Sequence, residues 1–278
     1  MWVVQSTREG MGCAVAWGSM SPIVTVSLAA FDILWEELRL GSPPYPFQIP
    51  SYGETYDERL RIRAAVHADL EQRGVTDRGR VAPPIAAAMM LVARPHIQLD
   101  TISTVDVREA SAMLRATAAA RGREAVLAVQ EGQLVRLEWT QGTALAASIV
   151  GLLPPTKAGP GQEISLPASL VGGENRPLEP QSAAVTRRTA ASASKEQQKA
   201  LATMLEPEVL RLGQIGVGLF DERGRVRRLP GMSWFDNAAG RYYSVVSRGR
   251  DGQDWATVSP GDSSRMVYRL GEMIRTAR

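Results

Sequence analysis

With 278 residues, 44% of them hydrophobic and 22% charged, the chain has the makeup of a soluble globular protein, long enough for one large domain or two modest ones. Its 32 basic residues nearly balance 29 acidic ones, and a net charge of +3 argues against nucleic acid or a membrane surface as the main partner. A single cysteine, Cys13, excludes an internal disulfide and a cysteine-rich zinc site and suggests a reducing compartment; two histidines, His67 and His96, without a carboxylate cluster leave little for a metal centre, and no cofactor is expected.

Residues 11–34 are rather apolar, but Ser, Gly and Pro22 interrupt them, Asp32 lies inside, and they fall short of a clean span of about 20 apolar residues. Arg8 ahead of an apolar stretch gives a faint signal-peptide look, but Glu9 sits in the leader and no small-residue cleavage site follows. The expectation is that Met20 is the true start and that residues 1–19 are a disordered N-terminal extension.

Val24–Leu28 alternates and is β-branched, so it reads as a strand. Phe31–Leu40 reads as a helix on Phe31, Leu34, Trp35 and Leu38, ended by Gly41 and Pro43-Pro44. Thr55 with Glu58 forms a capping box, opening a helix with Leu60, Ala64, His67 and Leu70 on one face that stops at Gly74. Ala82–Val92 is a further helix, with Pro83 and Pro84 tolerated in its first turn. Ala112–Ala119 alternates poorly and is read as a strand from its position; Glu124–Val129 and Leu134–Trp139 are strands, and the following helix turns Leu145, Ile149 and Leu152 to a core. Residues 154–181 are dense in Pro and Gly, with Ile164–Leu166 able to dock as a short strand. Gln181–Glu206 reads as one or two helices whose apolar stripe is thin, a sign of mobility or of packing completed on a partner. Ile215–Phe220, Val226–Phe235, Tyr242–Val246 and Trp255–Val258 are strands, and a last helix is expected from Ser259 as N-cap with Pro260 and Asp262 in its first turn, facing inward with Met266, Leu270, Met273 or Ile274, and Ala277.

One pattern occurs twice. Residues 99–153 read as short strands followed by a helix, and residues 212–277 read the same way. The last hairpin of the first copy turns at Glu131-Gly132, that of the second at Asp251-Gly252, and each leads into a helix. Two such units predict an α+β fold of quasi-symmetric sheet-plus-helix halves around one shared sheet. Residues 20–278 are expected to form a single domain, with a first half 20–153, a linker 154–180 and a second half 181–278. Neither unit carries a catalytic motif, which points to a surface that binds.

The order of pieces resembles a known family. The opening strand and helix, Tyr45-Pro46-Phe47 and the long capped helix fit it. So do Ala93-Arg94-Pro95, Leu152-Leu153-Pro154, Ser165-Leu166-Pro167, Gly240-Arg241-Tyr242-Tyr243 and Trp255–Pro260 leading into a helix. Over residues 20–277 the chain resembles the EspG family of type VII (ESX) secretion systems in mycobacteria and other actinobacteria, in order and spacing more than in sharp signatures. The resemblance implies a cytoplasmic chaperone, not an enzyme, that binds PE/PPE-like heterodimers at the tip of the PPE helical bundle and shields an aggregation-prone end before export. It also implies a central antiparallel sheet and an additional helical bundle. In actinobacteria without typical PE and PPE proteins the partner is another secreted helical protein.

Candidate partner-binding residues are Arg227, Met232, Trp234 and Phe235 on the long strand of the second unit, with the 181–206 helices as a second surface. Adjacent strand residues face opposite sides, so one of Trp234 and Phe235 is expected to point inward. Arg223, Arg225, Arg227 and Arg228 crowd one segment; a solvated turn and strand edge is favoured there over a contact to a partner or to nucleic acid. Gly213, Gly216 and Gly218 stand in the wrong order for a dinucleotide fingerprint. His67 reads as a packed structural histidine. Two alternatives stay open: a hydrolytic or transferase enzyme with an unrecognised carboxylate site, and a nucleic-acid-binding adaptor.

Overall fold

The computed structural model describes residues 23–77, 79–109, 113–171, 195–250 and 252–277. The expected extension 1–19, the start at Met20 and the helical stretch 181–194 lie outside the described residues.

The first half opens with β1 (Ile23–Ser27), which runs straight into α1 (Leu28–Glu37), and continues through α2 (Tyr56–Gln72), the two-residue strands β2 (Thr76–Asp77) and β3 (Arg80–Val81), and α3 (Pro83–Ala93). A four-strand meander follows: β4 (Ile97–Thr104), β5 (Met113–Arg121), β6 (Glu124–Glu131) and β7 (Leu134–Gln141), then a 3-10 turn and α4 (Leu145–Val150). The second half repeats the plan with β8 (Ile164–Pro167), α5 (Ala168–Val171) and α6 (Lys195–Leu205), the meander β9 (Val209–Phe220), β10 (Val226–Asn237), β11 (Gly240–Arg248) and β12 (Asp254–Pro260), and the closing α7 (Ser263–Ala277).

Ten strands join in one sheet, in the order β1-β7-β6-β5-β4-β9-β10-β11-β12-β8. Each pair of neighbours is antiparallel. The order is a palindrome of roles. In each half the first strand goes to the outer edge and the meander runs outward from the centre to meet it. The centre lies between β4 and β9, where Ile97 pairs with Leu219 and Thr104 with Leu212.

The two sheet faces are covered differently. One is roofed by α4 and α7, which touch each other above the central strands. They close a core of Leu99, Ala118, Val129, Ile149, Ile215, Trp234 and Leu270. The other face carries two separate roofs. The bundle of α1, α2 and α3 packs Phe31, Leu34, Trp35 and Met89 onto Val126, Val135 and Leu137. At the far end α6 packs Leu201 and Met204 onto Leu166, Tyr242 and Val258. β5 explains its own poor alternation: Ala116 to Ala120 are buried on both faces, so no position selects a polar side chain for solvent, and small residues let both layers come close.

Several boundaries differ from the sequence reading. α1 stops at Glu37 rather than Leu40, because Arg39 already takes a left-handed conformation at φ 53, ahead of Gly41. Thr55 caps α2 as expected, accepting from the Glu58 N–H at 3.2 Å; the Glu58 carboxylate accepts from Glu54 N–H. The inward face of α2 is rotated from the predicted one, and Leu60 is 43% exposed. Arg59 and Arg63 turn inward, paired with Asp32, Glu36 and Glu37 of α1, and share that face with Val66, His67 and Leu70, whereas Leu60 and Ala64 are exposed. The last helix is capped by Asp262, which accepts from Arg265 N–H at 2.9 Å. Ser259 and Pro260 belong to β12, and the Ser259 hydroxyl donates to Glu163 at 2.7 Å. The described part of the 154–181 segment is fastened to the sheet: Ala158 bridges to Arg241, and β8 pairs with β12.

Candidate partner-binding surface

Between the two roofs the second face of the sheet has a central strip that no described helix covers. Its composition follows from register. Met113, Thr104, Leu212 and Phe235 stand in one row across β5, β4, β9 and β10, and Arg115, Ile102, Gln214 and Ser233 in the next. All eight are half-buried. Met113, Ile102 and Leu212 belong to none of the three cores formed by the described residues.

Beside these rows lies a charged cluster. The Asp100 carboxylate, 3% exposed, is paired with the Arg228 guanidinium, whose side chain is 44% exposed. The contact crosses β9 over Gly216, where a Cβ would sit 2.6 Å from Asp100 Oδ1. At Gly213 a Cβ would sit 2.1 Å from Ser103 Oγ, so these glycines are a floor for side chains of β4 rather than a phosphate loop. Arg228 also lies 5.9 Å from the centroid of the Tyr45 ring, whose residue carbonyl accepts from Gln98 Nε2 at 3.1 Å. Burial holds the Asp100 carboxyl above the usual carboxylate range, with Arg228 opposing it. Burial and then the charge of Asp100 raise the Tyr45 phenol.

The four predicted residues do not share this strip. Met232 and Trp234 point to the opposite face and are core residues; the Arg241 guanidinium lies 4.8 Å over the Trp234 ring and is bound to Asp236 at 2.7 Å. In this fold they present no surface to a partner. Arg227 is exposed on that same side and donates to the Ala277 carbonyl at the end of α7. Phe235 alone lies on the strip, half-buried and stacked on Tyr242 at 5.2 Å. The arginine-rich segment is engaged internally as well, with Arg225 on Asp221 at 2.7 Å and Arg228 on Asp100. The stripe of α6 is spent on its own sheet, Leu201 and Met204 being buried in the core under it. The sequence reading missed Ile102, Met113, Arg115, Leu212 and Tyr45. A signal was present in the run of polar residues on β4, Gln98 and Asp100 among them and both buried, opposite the glycines of β9.

Two concavities elsewhere hold carboxylates. One, at the β9–β10 hairpin, contains Asp221 against Arg225; the other, beside α1, contains Asp32 and Glu36 against Arg59. In both, the acids are tied into ion pairs. His67 Nε2 lies 2.7 Å from Glu37 and joins α2 to α1. Among the described residues no group of three or more His, Cys, Asp or Glu is placed to hold a metal, and no described helix is long and apolar enough to cross a membrane.

The strip is a broad, half-buried surface of mixed apolar and charged chemistry at the centre of the sheet. The sequence matches the EspG family over residues 27–272, and the chain belongs to that family. Its fold is similar to that of the Mycobacterium tuberculosis type VII secretion system chaperone EspG5, solved in complex with a PE25–PPE41 dimer. The TM-score is 0.64 at 13% sequence identity, over 91% of this chain and 96% of that one. No curated protein sequence matches the chain.

Proposed function

We propose that this EspG-family protein is a cytoplasmic, non-catalytic chaperone of a type VII secretion system. It binds a secreted helical partner, a PE/PPE-like heterodimer, and keeps it soluble for export. The observation that supports the reading is the central strip that no described helix covers, where Ile102, Met113, Leu212 and Phe235 lie half-buried between two roofs. Capping a partner's apolar end there gains about 25 cal/mol per Å² buried, against a cost of several kcal/mol for association, which suits a complex that forms and releases. Residues 20–278 act as one body in this reading, because both halves contribute strands to the strip. Of the predicted residues, Phe235 makes contact, Met232 and Trp234 support its strand from beneath, and Arg227 stays outside.

Co-expression with the PE/PPE-like pair encoded nearest to this gene tests the reading. A soluble complex is expected by size exclusion, lost on Ile102→Asp or Leu212→Asp while the free variants melt normally. A partner that remains equally insoluble beside the wild-type chain, with no complex eluting, overturns the proposal.

A further inference from the structure

We infer that the strip selects an acidic partner, through Arg115 and Arg228 acting on one carboxylate set among apolar residues; this rests on the chaperone reading above. Arg228 of β10 lies 5.9 Å from the centroid of the Tyr45 ring, and Arg115 of β5 stands on the same face two register rows away, so each half contributes one cation to this side of the strip. Asp100 is the one acid among the described residues there, and it is covered: its carboxylate faces Arg228 and the floor at Gly216. Among the described residues the pair of arginines therefore exceeds its counter-charge by one.

The excess is also visible in hydrogen bonding. Arg115 Nη1 is buried and has no acceptor within the described structure, an unmet donor beside Ile102 and Gln214 in the same register row. Arg228 keeps nearly half of its side chain exposed after pairing with Asp100. Around them Gln98, Thr104, Gln214 and Ser233 are neutral, and at the far end Arg108 and Glu208 pair with each other at 4.0 Å. A partner group that is anionic, narrow enough to lie beside the Tyr45 ring and flanked by aliphatic side chains meets each of these features. An Asp or Glu side chain on the docking end of a helical protein meets all three; a lysine at that place meets two guanidinium charges.

The test uses the full chain and three synthetic helical hairpins that differ only at one residue next to an apolar Leu-Met loop: Glu, Gln or Lys. Fluorescence anisotropy at low and moderate salt is read for each. The Glu hairpin is expected to bind about five- to tenfold tighter than the Gln hairpin, with Lys weakest and the gap shrinking as salt rises. Arg115→Gln is expected to close most of that gap; Asp100→Asn with Arg228→Gln, which removes the buried charge together with its partner, closes the rest. Equal binding of Glu and Gln hairpins, or tightest binding of Lys, overturns the acidic preference while leaving the docking strip intact. Failure of all three hairpins to bind overturns the inference and the strip together.

Discussion

Trp234 and Phe235 are neighbours in sequence that the strand places on opposite faces, and truncating each in turn separates core from contact. Trp234 is 2% exposed, beneath α7 and against Arg241. A buried tryptophan removes about 150–250 Å² from water, worth about 4–6 kcal/mol at about 25 cal/mol per Å² as an upper bound. Losing the Arg241 contact adds about 0.5–2 kcal/mol, and partial collapse of the cavity gives some back, so Trp234→Ala is expected to cost about 3–5 kcal/mol. For a chain of this size that lowers Tm by roughly 6–20 °C at about 2–4 °C per kcal/mol. Phe235→Ala keeps the core on the other face and removes one partner of the Tyr242 stack, so its expected cost is about 1–2 kcal/mol, while its effect on complex formation is the larger of the two. Thermal melts by circular dichroism and size exclusion with the partner read both quantities. If Trp234→Ala melts within about 2 °C of the wild type, the strand's facing is wrong and the strip with it.

Arg241→Ala leaves Asp236 buried without its main counter-charge and frees the Pro154 carbonyl that Arg241 Nη2 holds at 2.8 Å; a loss of about 3–5 kcal/mol in urea unfolding is expected, partly restored by adding Asp236→Ala. Burial raises the Asp100 carboxyl above its ordinary value of 3.8, so folding takes up a proton there: the stability it contributes is full below pH 3.8 and is lost as pH rises through the raised folded value. Asp100→Asn should therefore flatten that part of the curve, read as the wild-type minus variant difference in urea midpoint between acid and neutral pH; a difference that grows with pH in favour of the wild type contradicts it. Gly216→Val puts a Cβ 2.6 Å from Asp100 Oδ1 and breaks the Asp100–Arg228 pair, at an expected cost of about 1–3 kcal/mol in the same titration. Thr55→Ala removes an N-cap from α2 and should cost about 1 kcal/mol without touching partner binding.

Much of this architecture is local and therefore readable along the chain. The capping residue Thr55, the turn at Gly132 and the helical stripe of Met266 and Leu270 are dictated by backbone conformation and by which side chains seek water. The doubled strand-strand-helix pattern determined in advance that two like halves share a sheet. What lay beyond the sequence were outcomes decided by neighbours far apart in the chain. Which face of α2 turns inward depended on both the carboxylates of α1 and the apolar core that receives Val66 and Leu70; whether Trp234 or Phe235 was the buried one depended on which side α7 chose; and the attachment of the 154–180 segment depended on Arg241. The strip itself is made of single residues from four strands, none notable alone, brought into two rows by register across the centre of the sheet. Propensity and periodicity act over a few residues, whereas burial, pairing and open surface are properties of the assembled layers, so only the tertiary structure could place them.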